Sequence, residues 1–158
     1  MTRKWTFRAN GHIYMLVKQP QEREVHVLMK VFLAKLYGTD YPDLRIEVPY
    51  AQETRYKPDL LSLNEQGEAA FWGECGEVSQ AKLTALIKKY RTTHLCFAKW
   101  NIRSLPFEQM IDRAVQSLKR PRFAPVDFIN FTEEQRTKVA DDGEILLTWD
   151  EVTSRRWH

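Results

Sequence analysis

The chain has 158 residues, 43% of them hydrophobic and 12% aromatic, which predicts one domain with one core over residues 1–158. A net charge of +3 permits nucleic-acid binding without requiring it. No stretch approaches the roughly 18 consecutive apolar residues of a membrane span, and the first residues lack the apolar block of a signal peptide. We therefore expect a cytoplasmic protein without a membrane partner.

The N-terminal third combines a strand pattern with a helix pattern. Asn10-Gly11, between two short alternating apolar segments, predicts a hairpin that opens the sheet. Apolar residues from Val25 to Leu36 recur at helical spacing, so we predict a first helix that ends near Gly38.

Three strand-like segments follow the first helix. Residues 44–48 alternate between polar and apolar types and predict a half-buried strand. Residues 56–63 and 69–75 are apolar runs joined by a loop that contains glycine, which is typical of a hairpin. This pairing places Asp59 and Glu74 on neighbouring strands.

The C-terminal half begins with a helix, for which Ser79 is the predicted N-cap and which ends near Arg91. The next strand is reached through this helix, so we expect it to run parallel to the strand before the helix. The remaining predicted elements are that strand, a third helix and two further strands, at 94–100, 106–118, 126–131 and 145–149. Cys75 and Cys96 lie in apolar runs and are expected to be buried and reduced.

Asp59 and Glu74 could form a metal site. Hydrolysis of a phosphodiester with Mg²⁺ or Mn²⁺ needs converging hard oxygen ligands, and two carboxylates on paired strands can provide them. The order helix, three strands, helix, strand, with Pro58-Asp59 and then Glu74, resembles the PD-(D/E)XK superfamily. This resemblance implies an α/β fold with the restriction-endonuclease-like αβββαβ core, a mixed sheet flanked by helices.

Four segments, in the same order along the chain, resemble the YaeQ family, whose members are small bacterial proteins of this superfamily. They are Gln21-Glu22-Arg23, Trp72-Gly73-Glu74-Cys75-Gly76, 127–135 and 142–148. The likeness covers almost the whole chain and implies the fold more firmly than an activity.

The resemblance also implies roles for single residues. Asp59 and Glu74 correspond to the metal-ligand carboxylates, and Glu22 to an acidic residue that many members carry on the first helix. A helical wheel allows Glu22 to face the sheet, although an acidic residue in a first helical turn is also favoured by the helix dipole. Gly76 stands where the superfamily pattern has lysine. Lys82, on the second helix, could replace that lysine, or it could be an exposed helix lysine.

Further polar residues could contact nucleic acid, but each also has a structural explanation. Lys57 could bind phosphate or protect a sheet edge, Gln80 could flank the site or help to cap its helix, and Lys88 and Lys89 could complement a helix dipole.

The sequence thus predicts a Mg²⁺- or Mn²⁺-dependent nuclease, with DNA favoured as the substrate. The alternative is a degenerate nuclease fold that binds nucleic acid or a protein partner, because fold does not determine function. A third option is a hydrolase or lyase of another phosphate ester. Many nucleases of this superfamily act as dimers, but the sequence leaves the oligomeric state open.

Overall fold

The computed structural model describes residues 3–158, with side chains from Lys4 onward. The strands and helices in chain order are β1 (Arg3–Ala9), β2 (His12–Lys18), α1 (Glu24–Tyr37), β3 (Arg45–Ile46), β4 (Leu60–Leu63), β5 (Ala69–Cys75), α2 (Gln80–Lys89), β6 (His94–Trp100), α3 (Ser104–Gln116), β7 (Val126–Phe131) and β8 (Thr153–Trp157). Two 3-10 helices, Glu133–Lys138 and Trp149–Glu151, lie between β7 and β8. No helix in this described part is long and apolar enough to cross a membrane.

The main sheet has the strand order β3-β4-β5-β6-β7-β8. Strands β5, β6 and β7 are parallel, whereas β3, β4 and β8 pair with their neighbours in antiparallel fashion, so the sheet is mixed. The helices α2 and α3 are the connections that parallel neighbours require. The predicted parallel pairing of β6 with β5 is therefore confirmed.

The N-terminal hairpin forms as predicted, but it does not open the main sheet. Ala9 pairs with His12 across a two-residue turn in which Asn10 and Gly11 have φ of 54° and 79°, as in a type I′ turn. β1 and β2 form a sheet of their own. Asn10 ties the turn to α1 by donating a hydrogen bond to the carbonyl of Ala34, over 3.3 Å. The apolar face of the hairpin is covered by α1 and not by strands of the main sheet.

Two apolar cores cover the faces of the main sheet. α1 packs on one face and is buried on nearly all sides, because the hairpin covers its back. α2 and α3 pack on the other face. β5 is buried on both faces: Phe71 and Cys75 point into the first core and Trp72 into the second. Cys75 and Cys96 are buried and unbonded to each other, as expected.

Three predicted strands differ from the structure. Only Arg45–Ile46 pairs within 44–48, and β4 begins at Leu60, just after Pro58, which has no N–H for a ladder. Residues 145–149 are not a strand: Ile145 and Leu147 alternate into the first core, but the chain forms only isolated bridges here, Glu144 with Arg8 and Ile145 with Val139. The last strand is instead β8, which no hydrophobic pattern in the sequence indicates.

Candidate functional site

Asp59 lies immediately before β4, at the end of β5 where Glu74 is located. Its backbone N–H donates to the carbonyl of Gly73 over 3.0 Å, and its own carbonyl accepts from the N–H of Glu47 over 2.8 Å. Its carboxylate Oδ2 accepts a hydrogen bond of 2.7 Å from the N–H of Cys75. The backbone of the sheet thus holds the Asp59 side chain at the carboxyl end of β5.

Glu74 is the acidic residue on β5, and it is only 5% exposed. Oε1 accepts a hydrogen bond of 2.8 Å from the Trp72 indole, and Oε2 accepts one of 3.0 Å from the Lys82 ammonium. Burial raises the pKa of Glu74, and the charge of Asp59 raises it further, whereas the hydrogen bonds from Trp72 and Lys82 oppose these effects. Two carboxylates therefore share one end of the sheet closely enough to repel each other.

Lys82 reaches this pair from the first turn of α2. Ser79 caps the helix as predicted, because its hydroxyl accepts a hydrogen bond of 3.0 Å from the backbone N–H of Lys82. The Lys82 ammonium also lies 5.4 Å from the centre of the Tyr56 ring. The second helix thus brings a lysine to Glu74 without any contribution from position 76.

A side chain at Gly76 would be strained by the backbone and crowded by His26. Its φ is 92°, in the left-handed region that favours glycine, and a Cβ would lie 3.2 Å from Cε1 of His26. His26 Nε2 lies 4.0 Å from Oδ1 of Asp59. The imidazole therefore occupies the space beside Gly76. In the sequence His26 has no recognisable triad or zinc-site spacing, and a structural histidine is the expectation.

Glu22 lies before α1 rather than within it, because the helix begins at Glu24, so the helical wheel does not apply to it. Its Oε1 lies 2.7 Å from the ammonium of Lys30, which is 4% exposed and also bonds to the Glu47 carboxylate. Burial lowers the pKa of Lys30, but the hydrogen bonds to both glutamates and the charge of Asp59 give a net rise. Glu22 is thus bound to Lys30, a residue whose only sequence signal was a charge within an apolar helical run.

Gln80 connects α2 to α3 instead of facing Glu74. Its amide nitrogen donates to the hydroxyl of Thr84 over 3.2 Å and to the carbonyl of Met110 over 3.0 Å. Its oxygen accepts a hydrogen bond of 3.1 Å from Arg113. Its geometry therefore supports a helix-packing role.

A cavity of about 500 Å³ opens between α1 and the ends of β5 and β6. Asp59 is not among its lining residues, but His26 and Cys75, which both approach the Asp59 carboxylate, are. Burial lowers the pKa of Lys99, and the charge of Glu77 opposes this effect. The lining residues that carry charge or aromatic rings are Glu22, Arg23, His26, Glu77, Lys99 and Trp100. This volume is in the range of small-molecule sites.

The carboxylate pair suits Mg²⁺ or Mn²⁺ by its chemistry. Over residues 3–158, no group of three or more His, Cys, Asp and Glu side chains is arranged to hold a metal ion. Mg²⁺ is usually bound through one or two carboxylates, several waters and substrate phosphates. Asp59 and Glu74 match that mode of binding, since both are hard oxygen donors with lone pairs beyond those in use.

Comparison with solved structures identifies similar folds. A crystal structure of the YaeQ protein from Pseudomonas syringae matches 94% of this chain and 82% of its own, with a TM-score of 0.61 and 15% sequence identity. The YaeQ protein from Xanthomonas axonopodis pv. citri matches 82% of this chain and 73% of its own, with a TM-score of 0.55 and 14% identity. No family model and no curated protein sequence matches the chain. The chain therefore has a YaeQ-like fold, as the sequence resemblance implied.

Proposed function

We propose that this protein is a metal-dependent nuclease of the PD-(D/E)XK type that hydrolyses phosphodiester bonds in nucleic acid, with DNA as the favoured substrate. One observation carries the proposal: the Lys82 ammonium lies 3.0 Å from the carboxylate of Glu74. Glu74 is buried, and its pKa is raised by burial and by the charge of Asp59. Two acids and one lysine at the same end of a mixed sheet are the groups that such a reaction needs.

In this proposal Asp59 and Glu74 hold Mg²⁺ or Mn²⁺. When bound, the ion lowers the pKa of a coordinated water and withdraws charge from the phosphoryl oxygens. Lys82 orients the Glu74 carboxylate and presents its ammonium to the phosphate in a partly dry site, where a fixed charge acts strongly on the transition state. Glu22, with Glu47, holds the buried Lys30 ammonium, whose charge acts on Asp59.

Cleavage assays test the proposal. The purified chain would be incubated with single-stranded DNA, duplex DNA, branched DNA and RNA, with Mg²⁺, Mn²⁺ or EDTA. We expect metal-dependent cleavage that falls by roughly 100-fold or more in Asp59→Asn and Glu74→Gln, and by a similar factor in Lys82→Ala. Glu65→Gln, which changes an exposed acid in the β4–β5 loop, is the matched control and should cut at the wild-type rate. Cleavage that persists in Asp59→Asn would contradict the proposal.

A second candidate function is binding of nucleic acid or a protein partner without catalysis. Two observations favour it: His26 fills the space beside Gly76, and both oxygens of Glu74 already accept hydrogen bonds from within the chain. Calorimetric titration with Mg²⁺ and Mn²⁺ separates the two functions. A folded chain that binds neither ion, yet retains affinity for nucleic acid or a partner, would be a binding module.

A further inference from the structure

A second groove, of about 540 Å³, is lined in part by Tyr56, whose ring centre lies 5.4 Å from the Lys82 ammonium that bonds to Glu74. It runs between α2 and the loop that leads into Pro58-Asp59. The residues that shape it are Arg55, Tyr56, Ala85, Lys88, Lys89 and Tyr90.

The groove follows one side of α2, and Tyr56 connects it to Lys82 of the candidate functional site. Lys82, Ala85 and Lys89 recur at helical spacing, so the distance along the axis from the first to the last is roughly 10 Å. Ala85, between the two lysines, has a small side chain that leaves the groove open. Two cations lie near the Tyr56 ring, with the Lys82 ammonium 5.4 Å and the Arg55 guanidinium 5.2 Å from its centre.

The groove is positively charged at its surface because its one lining acid is buried. The side chain of Glu53 is 4% exposed, lies 2.8 Å from the Lys89 ammonium and accepts a hydrogen bond from the Tyr90 hydroxyl. Burial alone would raise the pKa of Glu53, but these hydrogen bonds lower it to about 2. Glu53 is therefore ionised and neutralised by Lys89 at neutral pH, and the cations of Arg55 and Lys88 remain exposed.

We propose that this groove binds a single strand of nucleic acid on its way to the site at Glu74. The strand's phosphates contact Arg55 and Lys88, and one base stacks on the half-buried Tyr56 ring. Stacking needs an unpaired base, whereas a paired duplex would present only its backbone to this narrow groove. This proposal rests on the proposed nuclease function only in that the bound strand leads to the site at Glu74.

Fluorescence anisotropy with the full chain tests this groove in EDTA, so that nothing is cut. The probes are a labelled ten-nucleotide DNA strand and a hairpin duplex of matching composition. We expect the single strand to bind more tightly than the duplex. Arg55→Ala/Lys88→Ala should weaken binding to the strand at least 10-fold and reduce the slope of log K against log salt by about 1.4, which is the loss of two phosphate contacts at the single-strand value. Tyr56→Leu should weaken binding to the strand at least 5-fold, with little effect on the duplex.

Lys119→Ala/Arg120→Ala is the control, because it removes the same charge from an exposed basic pair beyond α3. Equal losses of affinity for the single strand in the two double variants would contradict the groove proposal. So would tighter binding of the duplex, or a wild-type chain that binds no single strand. Circular dichroism melting checks that each variant is folded.

The two proposals can fail separately. If the wild-type chain never cleaves with metal but the groove variants still lose binding to the strand, the groove proposal is supported and the nuclease proposal is contradicted. A wild-type chain that cleaves single strands, with groove variants that bind and cleave as well as it does, would reject the groove alone.

Discussion

At the scale of single residues, two constraints favour glycine at position 76: the left-handed backbone conformation and the nearby His26 ring. Their energetic costs can be measured separately. Gly76→Ala adds a methyl group at a φ of 92° and 3.2 Å from the His26 ring. Gly67→Ala, in the β4–β5 loop, adds one at a φ of 77° with open space around it. We expect Gly67→Ala to cost about 1 kcal/mol from backbone strain alone, and Gly76→Ala about 2–3 kcal/mol from strain and the clash together.

Urea unfolding of both variants, with and without His26→Ala, checks this prediction. Removing the imidazole should bring the cost of Gly76→Ala down to that of Gly67→Ala, since the double-mutant cycle isolates the contact. Equal costs of the two glycine substitutions in the wild-type background would show that His26 does not crowd position 76.

Some site residues could be predicted from the sequence because they follow local rules. The hairpin pattern predicts the proximity of Asp59 and Glu74, and the N-cap at Ser79 places Lys82 on the first turn of α2. His26 and Lys30 could not be found in this way. Both reach the site only through the packing of α1 against the sheet, and that packing brings together residues that are far apart in the chain.

At the scale of elements, the edge strand β8 pairs with β7 through its backbone and adds a buried ion pair through Arg156. Arg156 donates two hydrogen bonds, of 2.7 and 2.9 Å, to the carboxylate of Asp127 on β7, which is 3% exposed. Asp127 also bonds to His94 on β6 and Tyr37 on α1, each over 2.6 Å. This carboxylate therefore joins four elements.

Neighbouring arginines on β8 provide a matched test of that bond. We expect Arg156→Ala to lower the free energy of unfolding by about 2–4 kcal/mol, because it leaves a buried carboxylate without its main counter-ion. Arg155→Ala should cost less than about 1 kcal/mol, since its ion pairs with Glu108 and Asp112 are long, at 3.7 and 3.6 Å, and half exposed. Chemical denaturation measures both, and similar costs for the two variants would contradict a special role for Arg156.

One physical reason explains why β8 was not predicted and why residues 145–149 were wrongly predicted as a strand. Hydrophobic alternation reports burial, and a segment can be buried alternately while it forms only isolated bridges and no strand ladder. Ile145 and Leu147 alternate in this way from an irregular segment, whereas β8 pairs with β7 although most of its side chains are exposed. The helices and the parallel strands were predictable because periodicity and connection length both indicate them.

At the scale of the whole molecule, the sequence predicts the order of elements in the main sheet better than its edges. The β5–α2–β6 and β6–α3–β7 units follow from the chirality and length of their connections. The separation of the β1–β2 hairpin from that sheet does not, because it depends on α1 packing between the two sheets. The YaeQ-like fold was accessible from the sequence only through the resemblance of four short segments.

Acid should destabilise the whole molecule through carboxylates whose pKa is lowered by folding. Burial would raise the pKa of Asp127, but hydrogen bonds from His94, Arg156 and Tyr37 lower it, and the pKa of Glu53 falls to about 2. A lowered pKa means that the unfolded chain binds protons first as the pH falls. The stability from these groups is therefore complete above their ordinary pKa, near 4, and is lost as the pH falls towards 2.

We expect Glu53→Gln to lower the free energy of unfolding at pH 7 by about 1–2 kcal/mol, less than the full pKa shift implies because solvent screens the ion pair with Lys89. At pH 2 the difference from the wild type should be smaller, since the wild-type carboxyl group is then partly protonated. Urea unfolding between pH 2 and pH 7 measures the difference, with Glu65→Gln as the exposed control that should follow the wild type at every pH. A Glu53→Gln deficit that stays constant from pH 7 to pH 2 would mean that the side chain stabilises the loop by packing and not by its charge.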